Sequence, residues 1–249
     1  MSVKLSYRLL VGALAVAGVI SSAHADVVEV DGAHVTFVYD TDFWGIGTAV
    51  VSGDAITFAV GPAYSLSTTV ASGGQPATAS HTEHSDQALT VVAKSGYQLN
   101  FGVSTTYGGN YSVAPGSAGD GNVAVSGGGL LSGGSYANGT FSASGTNSAS
   151  YGGGIQLSSG TSGVILQSDT VPTLAAAGYQ ALQADVTLSA GLVQNTGGTT
   201  SVSLDSYAYQ FNATQAPVAA VPEPATYGML LGGLGLLGMV ARRRKAAPK

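Results

Sequence analysis

Cysteine is absent from the 249 residues of this chain. Disulfide bridges, thiolate metal centres and cysteine nucleophiles are therefore excluded. Stability has to come from hydrogen bonding and packing, which requires enough apolar side chains to fill a core. Hydrophobic residues make up 45% of the chain, so a packed domain is feasible.

Basic residues are also scarce. Of eight Lys and Arg residues, only Lys94 lies within 26–222, which contains twelve of the thirteen acids. This span therefore has a formal charge of 1 − 12 = −11. Binding to phosphate groups needs Lys and Arg, so this charge balance argues against nucleic acid and anionic lipid as partners of the span. Divalent cations are compatible with it.

Long helical periodicity is missing between residues 26 and 215, and alternation with a period of two is frequent instead. In the last alternating run the phase changes at Asp205 and Ser206, which predicts a β-bulge or a bend there. The runs that place large apolar side chains on one face of a strand are Ile56, Phe58 and Val60; Tyr97, Leu99, Phe101 and Val103; Val186, Leu188, Ala190 and Leu192; and Val202, Leu204, Tyr207, Tyr209 and Phe211.

Glycine-rich clusters separate these runs and predict tight turns, because Gly and Asn tolerate positive φ. Short strands with frequent turns favour an all-β sandwich over residues 26–212. A β-solenoid is the alternative, although no period of 20 to 50 residues is visible. One helix is predicted at 173–184. The predicted turns are centred on Gly53, Gly73, Gly109, Asp120, Gly128, Gly153 and Gly197.

The first 25 residues have the parts of a secretory signal peptide. Lys4 and Arg8 precede an apolar run, and the segment ends in Ala23-His24-Ala25. The apolar run is too short to span a bilayer. An Ala-x-Ala end predicts cleavage by signal peptidase before Asp26, with Ala23 and Ala25 as the recognised residues, so the following domain is exported.

The last 28 residues, 222–249, contain three successive parts. Pro222, Glu223 and Pro224 predict a stiff, extended tripeptide. Residues 225–241 carry no charge and as a helix would reach about 26 Å, enough for a short transmembrane span. A basic cluster then predicts a stop on the cytoplasmic side. It consists of Arg242, Arg243, Arg244 and Lys245.

In this order, the Pro-Glu-Pro tripeptide, the apolar run and the basic cluster resemble the PEP-CTERM sorting signal. The resemblance implies transient membrane anchoring, followed by cleavage near Pro222-Glu223-Pro224 by an exosortase-type transpeptidase of a Gram-negative bacterium. It further implies delivery to the cell surface or the extracellular matrix. A plain C-terminal membrane anchor is the alternative. Residues 213–221, which include Pro217, are predicted to form a linker between the domain and the sorting signal.

Candidate sites for chemistry are few. No Gly-x-Ser-x-Gly elbow occurs, so a serine hydrolase of that kind is not indicated. His81 and His84, with Glu83 or Asp86, have a weak metal-site spacing in a polar segment, 79–87, that is predicted to be a loop. Two other acidic pairs have the spacing of calcium ligands in a loop, although neither resembles an EF-hand. They are Asp40-x-Asp42 and Asp120-x-Asn122.

We therefore expect a non-catalytic protein without a cofactor or bound metal. Its expected role is structural or adhesive in an exopolysaccharide matrix or biofilm, with exopolysaccharide as ligand and the exosortase-type protease and signal peptidase as processing partners. Aromatic residues such as Trp44 could stack on sugar rings, although core packing explains most of them. The alternatives are a polysaccharide hydrolase that uses paired carboxylates and a calcium-stabilised adhesin.

Overall fold

The computed structural model describes residues 27–45, 47–113, 121–158, 160–171 and 178–217, together with Met229, residues 232–238 and Arg242. The predicted signal peptide and the Pro-Glu-Pro tripeptide lie outside the described residues, as do Arg243, Arg244 and Lys245. Asp120, from one of the two predicted calcium pairs, also lies outside them.

The described domain is almost entirely β-structure. A four-residue helix, α1 (Thr41–Trp44), and a 3₁₀ turn, Pro62–Tyr64, are the exceptions within 27–217. The strands are β1 (Val27–Asp31), β2 (Val35–Asp40), β3 (Ala49–Ser52), β4 (Ala55–Ala59), β5 (Ser65–Val70), β6 (Ala77–Ala93), β7 (Tyr97–Val113), β8 (Gly121–Ala137), β9 (Thr140–Ser158), β10 (Ser162–Val171), β11 (Ala181–Gln194) and β12 (Gly198–Gln215).

These strands form two antiparallel sheets. The first sheet has the order β1-β2-β6-β11-β8-β9, and the second has the order β10-β7-β12-β4-β3, with β5 also paired to β12. The large apolar side chains of both sheets meet in one core. The predicted all-β sandwich is confirmed. The solenoid alternative is wrong, because strands distant in the chain pair antiparallel across each sheet instead of stacking in successive coils.

Alternation placed the core correctly. Tyr207, Tyr209 and Phe211 of β12 are all buried, as are Val186 and Leu188 of β11. The register of β12 against β7 shifts between Leu204 and Ser206, which confirms the predicted bulge. Without that shift the three aromatic side chains of β12 would face solvent.

Trp44 links α1 to this core. Its ring stacks on Phe58 with centroids 4.1 Å apart, and its indole N–H donates to the carbonyl oxygen of Ala88 over 3.0 Å. A buried indole therefore has both apolar contacts and its one hydrogen-bond acceptor.

Hydroxyl groups pair across neighbouring strands on the exposed faces of the sandwich. The hydroxyl oxygens of Thr106 and Ser168 lie 2.6 Å apart, and those of Thr82 and Ser189 lie 2.8 Å apart. The same kind of contact joins Ser65 to Ser203, Thr69 to Thr199 and Ser104 to Thr170. These neutral hydroxyl pairs thus stabilise neighbouring strands, at positions where pairs of opposite charge would have the same effect.

Several glycine clusters that predict turns lie inside strands instead. The predictions at Gly53, Gly73 and Gly197 agree with breaks between strands, but those at Gly109, Gly128 and Gly153 are wrong. Close packing explains why glycine is found inside a strand at one of these clusters. A Cβ on Gly127 would lie only 2.5 Å from the ring of Tyr207. Glycine at such positions makes room for an aromatic side chain of the opposite sheet.

Two further predictions need correction. Residues 173–177 of the predicted helix lie outside the described residues. The helix is wrong over 178–184, because 178–180 are not helical and 181–184 begin β11, where Leu182 and Ala184 are buried in the core. Tertiary burial overrides the local helical preference there.

The polar segment 79–87 is part of β6 and not a loop, because β11 pairs along it. Residues 213–215 belong to β12 and extend the sheet into the predicted linker.

Candidate functional site

A groove crosses the outer face of the first sheet and is called the outer groove here. Its volume is about 490 Å³, and its lining comes from strands at both ends of the strand order, including β1, β8 and β9. The sheet therefore curls until its two ends approach each other. The lining residues are Val27, Val38, Ser85, Asp86, Gln87, Thr90, Tyr136, Gly139, Thr140, Phe141 and Gln183.

Two aromatic side chains form one wall of the outer groove. Tyr136 of β8 and Phe141 of β9 are directly opposite each other in the antiparallel register. Both are half-buried. Side chains opposite each other on neighbouring strands share one face of the sheet, so the two rings form an adjoining apolar surface at the groove.

A two-residue turn sets the position of this wall. Asn138 and Gly139 connect β8 to β9 and both have positive φ, at 52° and 76°. That conformation is the type I′ hairpin turn, for which Asn-Gly is the preferred sequence. Gln180 adds a second anchor, because the Tyr136 N–H donates to its side-chain oxygen over 2.6 Å. The hairpin is thereby tied to the segment before β11.

The floor of the outer groove is sheltered although it faces away from the core. Val38 and Thr90 are only 4% and 5% exposed, yet Val38 is not part of the core cluster. Gln183 donates to the Thr90 hydroxyl over 3.4 Å. Burial raises the pKa of Tyr136, and the negative charge of Glu29 adds to that shift. The groove thus combines aromatic surface with amide and hydroxyl groups.

Charge at the groove is limited to an exposed rim. The Asp86 side chain is 87% exposed and lies 2.8 Å from His84 Nε2. The hydrogen bond to Asp86 raises the pKa of His84, and the carbonyl oxygen of Val186 favours the protonated ring as well. None of the residues that line the groove is Lys or Arg. The groove therefore suits an uncharged polar ligand better than an anionic one.

The structure separates the two histidines of the candidate metal site. His81 lies 2.9 Å from Glu83 and packs edge-on against Tyr64, whereas His84 pairs with Asp86 on the outer side. Because β6 is a strand, residues 81 and 84 point to opposite faces. The metal-site interpretation of this pair is wrong. No group of three or more His, Asp and Glu side chains is placed to hold a metal within the described residues.

Of the two pairs with calcium-like spacing, Asp40, Asp42 and Asn122 lie among the described residues. Asp40 caps α1, and its carboxylate accepts hydrogen bonds from the Asp42 N–H at 2.9 Å and the Ser85 hydroxyl at 3.2 Å. An N-cap carboxylate satisfies backbone donors at the start of a helix. Asn122 lies in β8, paired with Ser158.

A second cavity, called the inter-sheet cleft here, opens beside α1. Its volume is about 460 Å³, and its lining includes Asp42, Trp44, Tyr64 and Glu83. The Tyr64 hydroxyl donates to the carbonyl oxygen of Leu188 over 3.1 Å. Burial raises the pKa of Tyr64, and the negative charge of Glu83 adds to that shift. Two carboxylates, of Asp42 and Glu83, and three aromatic side chains, of Phe43, Trp44 and Tyr64, therefore line this cleft.

The described part of the C-terminal segment is helical and exposed at Met229, residues 232–238 and Arg242. Among the helices of the described residues, none has the length and apolar character needed to cross a bilayer.

Comparison with family models decides the nature of this C-terminal segment. The model of the PEP-CTERM protein-sorting motif matches residues 220–245. The chain carries a PEP-CTERM sorting motif. The match includes Pro222, Glu223, Pro224 and the basic residues from Arg242 to Lys245. With this PEP-CTERM motif the protein is exported, anchored in a membrane as a precursor and then processed by an exosortase.

Other comparisons add little to the PEP-CTERM match. The sequence matches no curated protein. Among solved structures, the chain is similar to the structure of infectious bursal disease virus Gx strain, with 13% identity over 74% of this chain and a TM-score of 0.18. The VP2 subviral particle of infectious bursal disease virus gives 13% identity over 72% of this chain and a TM-score of 0.16.

The chain covers only 50% and 48% of those two viral chains. TM-scores this low carry no argument about assembly or ligands.

Sequence reasoning missed the outer groove. Its aromatic residues, Tyr136 and Phe141, lie beside Asn138-Gly139, the strongest short-range hairpin signal in the chain. That signal could have located the hairpin. It could not have shown that the hairpin and strands β2 and β6 line one groove, because these lining residues are about 50 to 100 positions apart.

Proposed function

We propose that the exported domain is a non-catalytic, adhesive component of the extracellular matrix or biofilm of a Gram-negative bacterium. In this proposal it binds a neutral polysaccharide in the outer groove after the PEP-CTERM motif has delivered it to the cell surface. Signal peptidase removes residues 1–25, and an exosortase processes the C-terminal segment. The domain then remains as an acidic, cysteine-free sandwich.

The observation that carries this proposal is the composition of the outer groove. Sugar rings present C–H faces that pack on aromatic side chains, and hydroxyl groups that need hydrogen-bond partners. Tyr136 and Phe141 provide aromatic surface for the C–H faces of a sugar. Thr90, Gln87 and Gln183 provide hydrogen-bond partners for its hydroxyl groups. The formal charge of −11 over residues 26–222 opposes binding of an acidic polymer.

Substitution of the aromatic wall tests the proposal. We expect Phe141→Ala and Tyr136→Ala each to weaken binding to a neutral polysaccharide about tenfold, the change that corresponds to about 1.4 kcal/mol. Binding would be measured by affinity electrophoresis through dextran, a β-glucan and a galactan, with alginate as the acidic comparison.

Leu130→Ala is the matched control, because Leu130 is 45% exposed and lies on β8 outside the groove lining. It should leave retention unchanged. Equal retention of wild type and both aromatic variants in all three neutral polymers would contradict the proposal.

A hydrolase that acts on polymer in the same matrix is the second candidate, and the inter-sheet cleft favours it. Asp42 and Glu83 line that cleft beside Trp44 and Tyr64, and paired carboxylates are the usual catalytic groups of glycosidases. Release of new reducing ends by wild type, abolished in Asp42→Asn or Glu83→Gln with the fold intact, would favour the hydrolase.

Calcium-stabilised adhesion is the remaining alternative. It requires the melting temperature to rise in millimolar calcium, and an unchanged melting temperature would count against it. The excess of acidic residues over residues 26–222 is the feature that supports it.

A further inference from the structure

The strands at the edges of the two sheets differ in how they are protected. Within the described residues, β1 and β9 end the first sheet, β3 and β10 end the second, and β5 pairs only with β12. An edge strand presents unpaired N–H and C=O groups that can pair with another chain. Proteins usually block such edges with charge, proline, bulges or short length.

The edges at β1 and β3 are protected in these ways. β1 carries Glu29 and Asp31, both exposed, so a second acidic copy would be repelled. β3 has only four residues, too few for a stable pairing. The edges at β1 and β3 are therefore poor templates for a partner strand.

β5 and β9 also lack charge and Pro, but neither exposes a large apolar side chain among the described residues. The edge at β10 lacks this protection and does expose such side chains. β10 has ten residues and contains neither Pro nor Lys nor Arg. Its single charged residue, Asp169, is half-buried and lies beside Gly153 of β9. Charge does not oppose the approach of another strand here.

Outward-facing side chains make this edge apolar as well. Val164 is 73% exposed and Leu166 is 75% exposed. The residue paired with Leu166 on β7 is Gly108, which has no side chain to cover it. Large apolar side chains next to a free strand edge mark a site of strand pairing.

A second copy of this chain is the partner that fits the charge of the whole domain. Residues 26–222 carry a formal charge of −11, so two copies repel each other over most approaches. Approach through β10 brings together a strand from each copy whose one charge, Asp169, is half-buried, and it keeps the exposed acidic surfaces apart. Antiparallel pairing also lets one patch serve both partners around a two-fold axis.

We propose that β10 pairs antiparallel with β10 of a second copy, which joins the second sheets of two domains into one continuous sheet. This inference goes beyond the proposed function, because β10 lies apart from the outer groove and no ligand is involved. Self-association and polysaccharide binding can therefore succeed or fail separately.

Charge substitution at the edge tests the pairing. We expect the mature protein, purified from the extracellular fraction, to sediment as a dimer at micromolar concentration. Leu166→Lys and Val164→Lys should each weaken dimerisation at least tenfold. Sedimentation velocity over a hundredfold concentration range gives the dissociation constants, and circular dichroism confirms that each variant is folded.

Val50→Lys is the matched control, since Val50 is 69% exposed on the other edge of the same sheet. It should dimerise as wild type does. A monomeric wild type at 100 μM, or equal dissociation constants for all variants, would overturn the proposal. Retention in dextran gels, measured on the same variants, should stay unchanged.

The absence of cysteine permits a second test that does not depend on removing the contact. Single cysteines are placed at Val164, Leu166, Ser168 and, as control, Val50, and are oxidised with diamide. A disulfide needs Cα atoms about 4.4 to 6.8 Å apart, so antiparallel pairing about a two-fold axis allows efficient cross-linking only near the axis.

We therefore expect one position on β10 to cross-link strongly, its neighbours weakly and Val50 not at all. Equal yields at all three β10 positions would indicate parallel pairing and contradict the antiparallel arrangement. Equal yields at β10 and at Val50 would show random collisions and overturn the interface itself.

Discussion

At the scale of single residues, the core combines tyrosines that have hydrogen-bond partners with tyrosines that lack them. Tyr209 is 1% exposed, and its hydroxyl lies 3.0 Å from that of Tyr151. In the part of the chain that the structure describes, the buried hydroxyl of Tyr107 has no hydrogen-bond partner. A satisfied buried hydroxyl stabilises a fold modestly, whereas an unsatisfied one costs free energy.

Removal of these two hydroxyls should have opposite effects. We expect Tyr209→Phe to lower the free energy of unfolding by about 1 kcal/mol, because the Tyr151 hydroxyl loses this contact and keeps only its hydrogen bond to the Asp185 carbonyl oxygen. Tyr107→Phe should leave the free energy of unfolding unchanged or raise it. Urea denaturation of both variants, with equal m-values, measures the difference. A larger loss in Tyr107→Phe than in Tyr209→Phe would contradict the assignment.

At the scale of elements, the sequence predicted the strands whose evidence is local. Alternation in Tyr97, Leu99, Phe101 and Val103 was sufficient, because a strand with one buried face has a period of two. The strands with internal glycines were not predictable. Gly127 is compatible with a strand only because Tyr207, eighty residues later, fills the space above it. The outer groove could not be predicted either, because its lining brings together residues that are far apart in the sequence.

The hairpin between β8 and β9 is the element on which the outer groove depends. Gly139 has φ of 76°, and a Cβ there would meet no other atom within 4 Å. Gly139→Ala should therefore cost about 1 kcal/mol of stability, from backbone strain alone. It should also loosen Tyr136 and weaken retention in neutral polysaccharide.

Gly53→Ala is the control for this substitution. Gly53 has φ of 63°, also with open space around a Cβ, but it lies in the turn between β3 and β4. Both variants should lose similar stability in urea. Only Gly139→Ala should speed amide exchange at residues 134–143 and weaken retention. If Gly53→Ala weakens retention equally, the hairpin does not position the binding surface.

At the scale of the whole molecule, the tyrosines of the core connect stability to pH. Burial raises the pKa of Tyr107 to about 12, and the negative charge of Asp169 contributes. Burial also raises the pKa of Tyr207, Tyr209 and Tyr151. An unfolded tyrosine ionises near pH 10. The folded state therefore holds these protons more tightly than the unfolded state does.

Alkaline unfolding should follow from that difference. A raised folded-state pKa contributes stability that is fully present below pH about 10 and is lost as pH rises through the folded pKa. We expect the urea midpoint to be constant from pH 8 to 9.5 and to fall steeply between pH 10 and 12. Tyrosinate absorbance at 295 nm and near-UV circular dichroism should change together. Ionisation of all tyrosines near pH 10 with the core signal intact would contradict this expectation.

The hydroxyl pairs across the exposed faces have a consequence for the places where this protein can work. Ser65 with Ser203, Thr69 with Thr199 and Thr106 with Ser168 are neutral on both sides. Dissolved ions have no charge to screen in such contacts. The contribution of these pairs to stability should therefore stay constant between fresh water and brine, whereas that of surface ion pairs would fall as salinity rises.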